Sequence, residues 1–156
     1  MNPITKCTAL IFLSLFFCIS VLAQAAGKNY DSVLAKKLGA DEYGMKNYVF
    51  VILKAGSNKG SDKAIRDSVF RGHLANIKRL ADHGDLVLAG PFGNNDNNYR
   101  GIFILNVKTF EEAKKLLETD PAVKAKMLDP DLYTWYGSAA IQATMDIHDK
   151  IQKTSF

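Results

Sequence analysis

The chain is 156 residues long, 47% hydrophobic and 23% charged, with 20 basic against 16 acidic side chains and a formal charge of +4. Its lysines alternate with acids, as in KTFEEAKKLLETD, and no basic run is interleaved with aromatics, which argues for a solvated helix face and against a nucleic-acid-binding surface. Both cysteines, Cys7 and Cys18, lie in the N-terminal segment, so the rest of the chain can form no disulfide and offers no thiol nucleophile.

The first residues, MNPITKCTALIFLSLFFCISVLAQAAG, carry one cation at Lys6, an apolar run from Ala9 to Leu22 and the small-residue site Ala23-Gln24-Ala25. This pattern reads as a secretory signal over residues 1 to 25. The apolar run is shorter than the roughly 20 residues a spanning helix needs. Neither cysteine follows a small-residue box at the end of that run, so no lipid anchor is expected. Cleavage near residue 23 or 25 leaves about 130 residues, enough for one domain with its own hydrophobic core. The mature protein is expected outside the cytoplasm, periplasmic or extracellular, and off the membrane once the signal is removed.

Residues 26 to 46 form a polar leader, with a short helix from Ser32 to Leu38 that Gly39 terminates. NYVFVILKAG, residues 47 to 56, is a continuous β-branched and aromatic run and reads as a buried central strand. From Ala64 to His83, the apolar residues Ile65, Val69, Phe70, Leu74, Ile77, Leu80 and Ala81 recur at spacings of three and four, and Gly84 supplies a stop, which predicts an amphipathic helix. DLVLAGPFG and RGIFILNV read as two strands joined by the loop GNNDNNY. KTFEEAKKLLETD returns to helical period, LYTWYGSAAIQA reads as the last strand, and residues 142 to 156 form a tail that adds a short helix.

The order strand, helix, strand, strand, helix, strand is the split βαβ (βαββαβ) arrangement of a ferredoxin-like α+β fold, with two helices on one face of an antiparallel sheet. The domain is expected over residues 47 to 141. Alternation in YVFVIL and GIFILNV leaves apolar side chains on the other face too, so a homodimer packed sheet to sheet, of the α+β barrel type, is expected.

His73 falls on the same helical face as Phe70, Ile77 and Leu80. An imidazole there is either a packed group whose nitrogens are satisfied or a placed proton carrier, since histidine changes charge near neutrality. Asp120 precedes Pro121, which disfavours helical geometry at Asp120 and suits the first turn of a new helix, so Asp120 is expected to cap PAVKAKML. His73 and His83 are ten residues apart on one helix, about 15 Å along its axis and on different faces, so they cannot share an ion. No zinc spacing, phosphate loop or G-x-S-x-G elbow occurs, and GNNDNNY holds too few carboxylates for calcium; no metal and no cofactor are expected. Phe92, Tyr133, Trp135 and Tyr136 are candidates to line a pocket for a flat organic ligand, or to fill the core and dimer interface.

HLANIKRLADHGDLVLAGP, with a histidine in the helix and an AGP strand end, followed by FEEAKKLLETDPAV, resembles the YciI-like (YCII-related) proteins. The resemblance covers roughly residues 47 to 141 and rests on the histidine, the G-x-L-x-x-A-G-P run and the D-P pair together. It implies a dimeric ferredoxin-like fold and a His-Asp pair in a pocket, which fall here on His73 and Asp120. One class of relatives dehydrochlorinates a chlorinated hydroxyquinol. Capping and pairing are compatible in Asp120, because one carboxylate oxygen can hold the cap and the other the imidazole ring. The resemblance thus implies a cofactor-independent lyase or isomerase acting on a small organic molecule. The alternatives of another class are a non-catalytic periplasmic ligand-binding module and a dimeric accessory protein.

Overall fold

The computed structural model describes residues 29–60 and 62–154, so the signal expected over residues 1–25 lies outside the described residues. The chain divides into two compact units, Met1–Val33 and Leu34–Phe156, and every element from the first strand onward belongs to the second. A helix α1 runs Ser32–Leu38 and stops at Gly39, whose φ of +65° is the left-handed conformation that ends helices. The elements that follow are β1 (Met45–Ala55), α2 (Lys63–Asp82), β2 (Leu86–Pro91), β3 (Tyr99–Leu105), α3 (Phe110–Leu117), α4 (Pro121–Lys124), β4 (Leu128–Ser138), a 3-10 turn (Ala139–Ala143) and α5 (Thr144–Ile151).

The four strands pair antiparallel in the order β2-β3-β1-β4, the ferredoxin-like arrangement that the sequence order predicts. In the central strand β1, Val49, Val51 and Leu53 face one side. There they join Phe103 and Leu105 of β3, Leu80 of α2, Ala113 and Leu117 of α3 and Ala122 of α4 in one core. Both long helices therefore sit on the same face of the sheet.

The other face holds a second cluster of Tyr48, Val87 and Ile104, packed against Phe50, Leu88, Trp135 and Ile141. Ile141 belongs to the 3-10 turn, so part of this face is covered by the chain's own C-terminal segment. Gln142, next in the turn, donates from Nε2 to the Leu38 carbonyl and accepts from Lys46 Nζ and Asn106 Nδ2, tying the leader, β1 and the end of β3 together.

The last strand differs from its expected limits at both ends. It begins at Leu128 instead of Leu132, so LDPD is strand and not turn. Pro130 is tolerated because β4 is an edge strand, where a missing N–H leaves no inner ladder bond unmade. Asp129 and Asp131 flank it and both pair with Lys54 Nζ, at 3.4 and 2.9 Å. At the other end SAAIQA leaves the sheet, with Ser138 Oγ accepting the Ala140 N–H to open the 3-10 turn.

Candidate active site

Helix α2 begins at Asp62, whose carboxylate accepts the Ile65 N–H at 2.8 Å, and ends against Gly84 at φ +76°. Its expected apolar stripe divides. Val69, Ile77 and Leu80 join the core, whereas Phe70 and Leu74, expected as core, are 38% and 41% exposed and line a cavity beside it. His73 stands between these two sets and is itself buried, 8% exposed.

The partner of His73 comes from the far side of the sequence. Helix α3 starts with a capping box, Thr109 accepting from the Glu112 N–H and Glu112 from the Thr109 N–H. It ends two residues short of Asp120. Asp120 takes the extended conformation that a following proline favours and caps α4, its Oδ1 accepting the Ala122 N–H at 2.8 Å. Its other oxygen, Oδ2, lies 2.7 Å from His73 Nδ1. Asp120 is wholly buried, so each carboxylate oxygen is engaged and none meets water.

Two features that sequence reasoning missed set this geometry. Gly72 lets α4 approach: a Cβ there would lie 2.9 Å from Pro121 Cγ, so a larger residue would push away the helix that Asp120 caps. Asn76 Oδ1 accepts from Arg79 and from Thr119 Oγ1, and Arg79 Nη2 also donates to Thr119 Oγ1 at 2.8 Å. This network fastens α2, one turn after His73, to the residue preceding Asp120. The signal was present in the sequence as an asparagine on the buried side of an amphipathic helix, but its partner is 43 residues away.

The imidazole ring is held between aromatics. Phe103 of β3 stacks on it at a centroid distance of 5.9 Å, and Phe70 meets it edge-on at 5.8 Å. A carboxylate oxygen 2.7 Å from Nδ1 favours the tautomer that donates from Nδ1 and keeps the lone pair on Nε2. Nε2 has no hydrogen-bond partner among the described residues, and His73 lines the cavity. Asp120 does not line it and stands behind the ring.

The cavity has a volume of about 530 Å³, well within the range of small-molecule sites. Its walls come from α2, from β2 and β3, from Leu53 of β1 and Leu128 of β4, and from Thr144, Met145 and His148 of α5. Phe92, Trp135 and Tyr136 do not line it, contrary to expectation. Trp135 alternates to the opposite face, where its ring lies against Tyr48 and Phe50 and folds back over Gly137. Tyr136 points to the leader and donates its hydroxyl to Asp41, and Phe92 is exposed beside Tyr99.

A family model described as the YCII-related domain matches residues 48–131, which include both His73 and Asp120. Comparison with curated proteins finds no match. Among solved structures, the chain is similar to 5-chloro-2-hydroxyhydroquinone dehydrochlorinase from Burkholderia phenoliruptrix AC1100 in complex with 2,5-dihydroxybenzoquinone. The identity is 21%, the match covers 56% of this chain and 92% of that one, and the TM-score is 0.40.

Proposed function

The chain belongs to the YCII-related domain family, and from that premise we propose that it is a cofactor-independent lyase or isomerase for a small organic molecule, with His73 as its proton carrier. The observation that carries this reading is the 2.7 Å contact between His73 Nδ1 and buried Asp120, which leaves Nε2 unbonded beside a cavity. In an elimination, Nε2 takes a proton from a carbon of the substrate. The released electron pair forms a double bond to the neighbouring carbon, and the leaving group departs from that carbon with its own pair. In an isomerisation the imidazolium returns the proton to a different atom. Asp120 stabilises the imidazolium in both cases without itself becoming protonated.

The same reading makes the protein an exported homodimer, the signal directing it out of the cytoplasm and the uncovered part of the second sheet face meeting a partner copy. The apolar walls of the cavity also suit a binding module that holds a ligand without turning it over. The two readings separate in one experiment. Wild-type protein and a His73→Ala variant are incubated with halogenated hydroxyquinols and other small molecules bearing an acidic C–H next to a leaving group, and halide release and solvent-deuterium incorporation are followed. The enzyme reading expects turnover in the wild type, with a loss of about 10² to 10⁴-fold in the variant, at unchanged circular dichroism. Equal rates in both proteins contradict it; saturable binding without product favours the binding module.

A further inference from the structure

The β1–β3 ladder steps from Leu53↔Gly101 directly to Lys54↔Tyr99, which leaves Arg100 as the extra residue of a β-bulge. A bulge interrupts strict alternation and re-aims the side chain it carries, and bulges recur beside functional sites for that reason. Arg100 lines the same cavity as His73. It lies three residues from Phe103 along β3, about 10 Å at strand rise. Among the described residues its guanidinium makes no ion pair or side-chain hydrogen bond, and no Asp or Glu lines the cavity. Asp129 and Asp131, on the edge strand beyond β1, are both held by Lys54.

We propose that Arg100 binds the carboxylate of the ligand, so that the cavity takes small organic acids with an apolar body. The inference rests on the reading of this cavity as the substrate site. A guanidinium presents two parallel N–H donors that match the two oxygens of a carboxylate, and in a mostly apolar cavity whose other polar lining is His73, Thr144 and His148 that pairing is undiluted by competing acids. The apolar body then lies along Phe103 and Ile102 toward Nε2 of His73, in a cavity that Thr144 of α5 also lines. Recognition and proton transfer thus fall to different elements, the bulge of β3 and the middle of α2.

The test uses an isosteric pair of probes, 4-fluorobenzoate and 4-fluorobenzamide, titrated against the purified protein by fluorine NMR. The acid is expected to bind about tenfold or more tighter than the amide, since a charge-assisted hydrogen bond contributes about 1.5–3 kcal/mol. Arg100→Gln, at an exposed position that folding does not depend on, is expected to bring the two affinities within about twofold. Gly90→Val places a side chain where a Cβ meets nothing within 4 Å, in the cavity wall, and is expected to weaken both probes together. His73→Gln is expected to leave the preference for the acid intact. Equal affinities in the wild type, an unchanged preference in Arg100→Gln, or no saturable binding of either probe would each overturn the assignment. A preserved acid preference with no turnover of any compound upholds the assignment while removing the enzyme reading. Turnover with equal probe affinities does the reverse.

Discussion

A methyl group at position 72 would press on the Pro121 ring, and that contact decides whether Asp120 reaches His73. Two effects compete in Gly72→Ala. Helix propensity favours alanine by about 1 kcal/mol, whereas overpacking costs about 1–3 kcal/mol. The expected net change in stability is a loss of about 2 kcal/mol or less, visible as a small fall in Tm, but the His73–Asp120 contact lengthens whichever term prevails, and turnover falls with it. Asp120 itself separates cap from pairing. Asp120→Asn keeps a good N-cap for α4, while Asp120→Ala loses about 1 kcal/mol of capping. Thermal denaturation should distinguish these two variants; activity should not, because neither supplies the charge that holds the imidazolium. At this scale the sequence is half legible. The D-P pair gives the cap from local chemistry, and helical spacing gives His73 a place near the core. Their pairing joins positions 47 residues apart, which no periodicity encodes; it was available only through resemblance to a family. Gly72, Asn76 and Arg100 went unread because each acts through a neighbour that is distant in the chain or through a shift of register.

The leader is fastened to the domain by a tie between elements. Asp41 Oδ1 accepts the Tyr43 and Met45 N–H groups, and its other oxygen accepts the Tyr136 hydroxyl from β4. The Tyr136 hydrogen bond, followed by that from the Met45 N–H, holds the Asp41 carboxyl below its ordinary value, and the same bond pushes the Tyr136 phenol up to about 12. The signs differ at the two ends of the pH scale. A raised phenol makes the tie fully effective below pH 10.0 and loses it as pH climbs from there toward about 12. A lowered carboxyl makes the tie effective above pH 3.8 and loses it as pH falls through the depressed value. Burial raises the Tyr48 phenol as well, so a tyrosinate absorbance titration should lose part of its late amplitude in Tyr136→Phe and show that part moved to lower pH in Asp41→Asn; a late amplitude unchanged by either substitution would mean that the tie does not form in solution. The α1 helix and its Gly39 stop were readable from local signals, as was α5 in the tail. The limits of β4 were not, because a proline between two aspartates looks like a turn until its edge position and the Lys54 ion pairs are known.

The order of elements and the two-sided apolar pattern of β1 were enough to specify the architecture, because few topologies satisfy six alternating elements of these lengths. They could not say how the second face is covered. Tyr48, Val87 and Ile104 are buried there partly by the chain's own 3-10 turn, whereas Tyr133, which pairs with Phe50 on β1, is 49% exposed. The proposed dimer uses this uncovered half. Sedimentation should find a dimer in the wild type and a monomer in Tyr133→Glu, since a charge at the centre of an apolar interface is costly unless paired; a monomeric wild type would leave the exposed aromatics without a partner. Cleavage after Ala23 or Ala25, read by N-terminal sequencing of protein recovered from outside the cytoplasm, tests the proposed export. The family match ends at residue 131, while Thr144, Met145 and His148 complete the cavity.

In the proposed mechanism Asp120 fixes the His73 ring with its proton on Nδ1 and its lone pair on Nε2, open to the cavity. Nitrogen-15 NMR of the histidine rings at a pH above neutrality measures this directly. The expected result is a His73 signature of protonated Nδ1 and unprotonated Nε2, with a downfield Nδ1 proton that disappears in Asp120→Ala. A ring protonated on Nε2, or one averaging freely between the two tautomers, would contradict it.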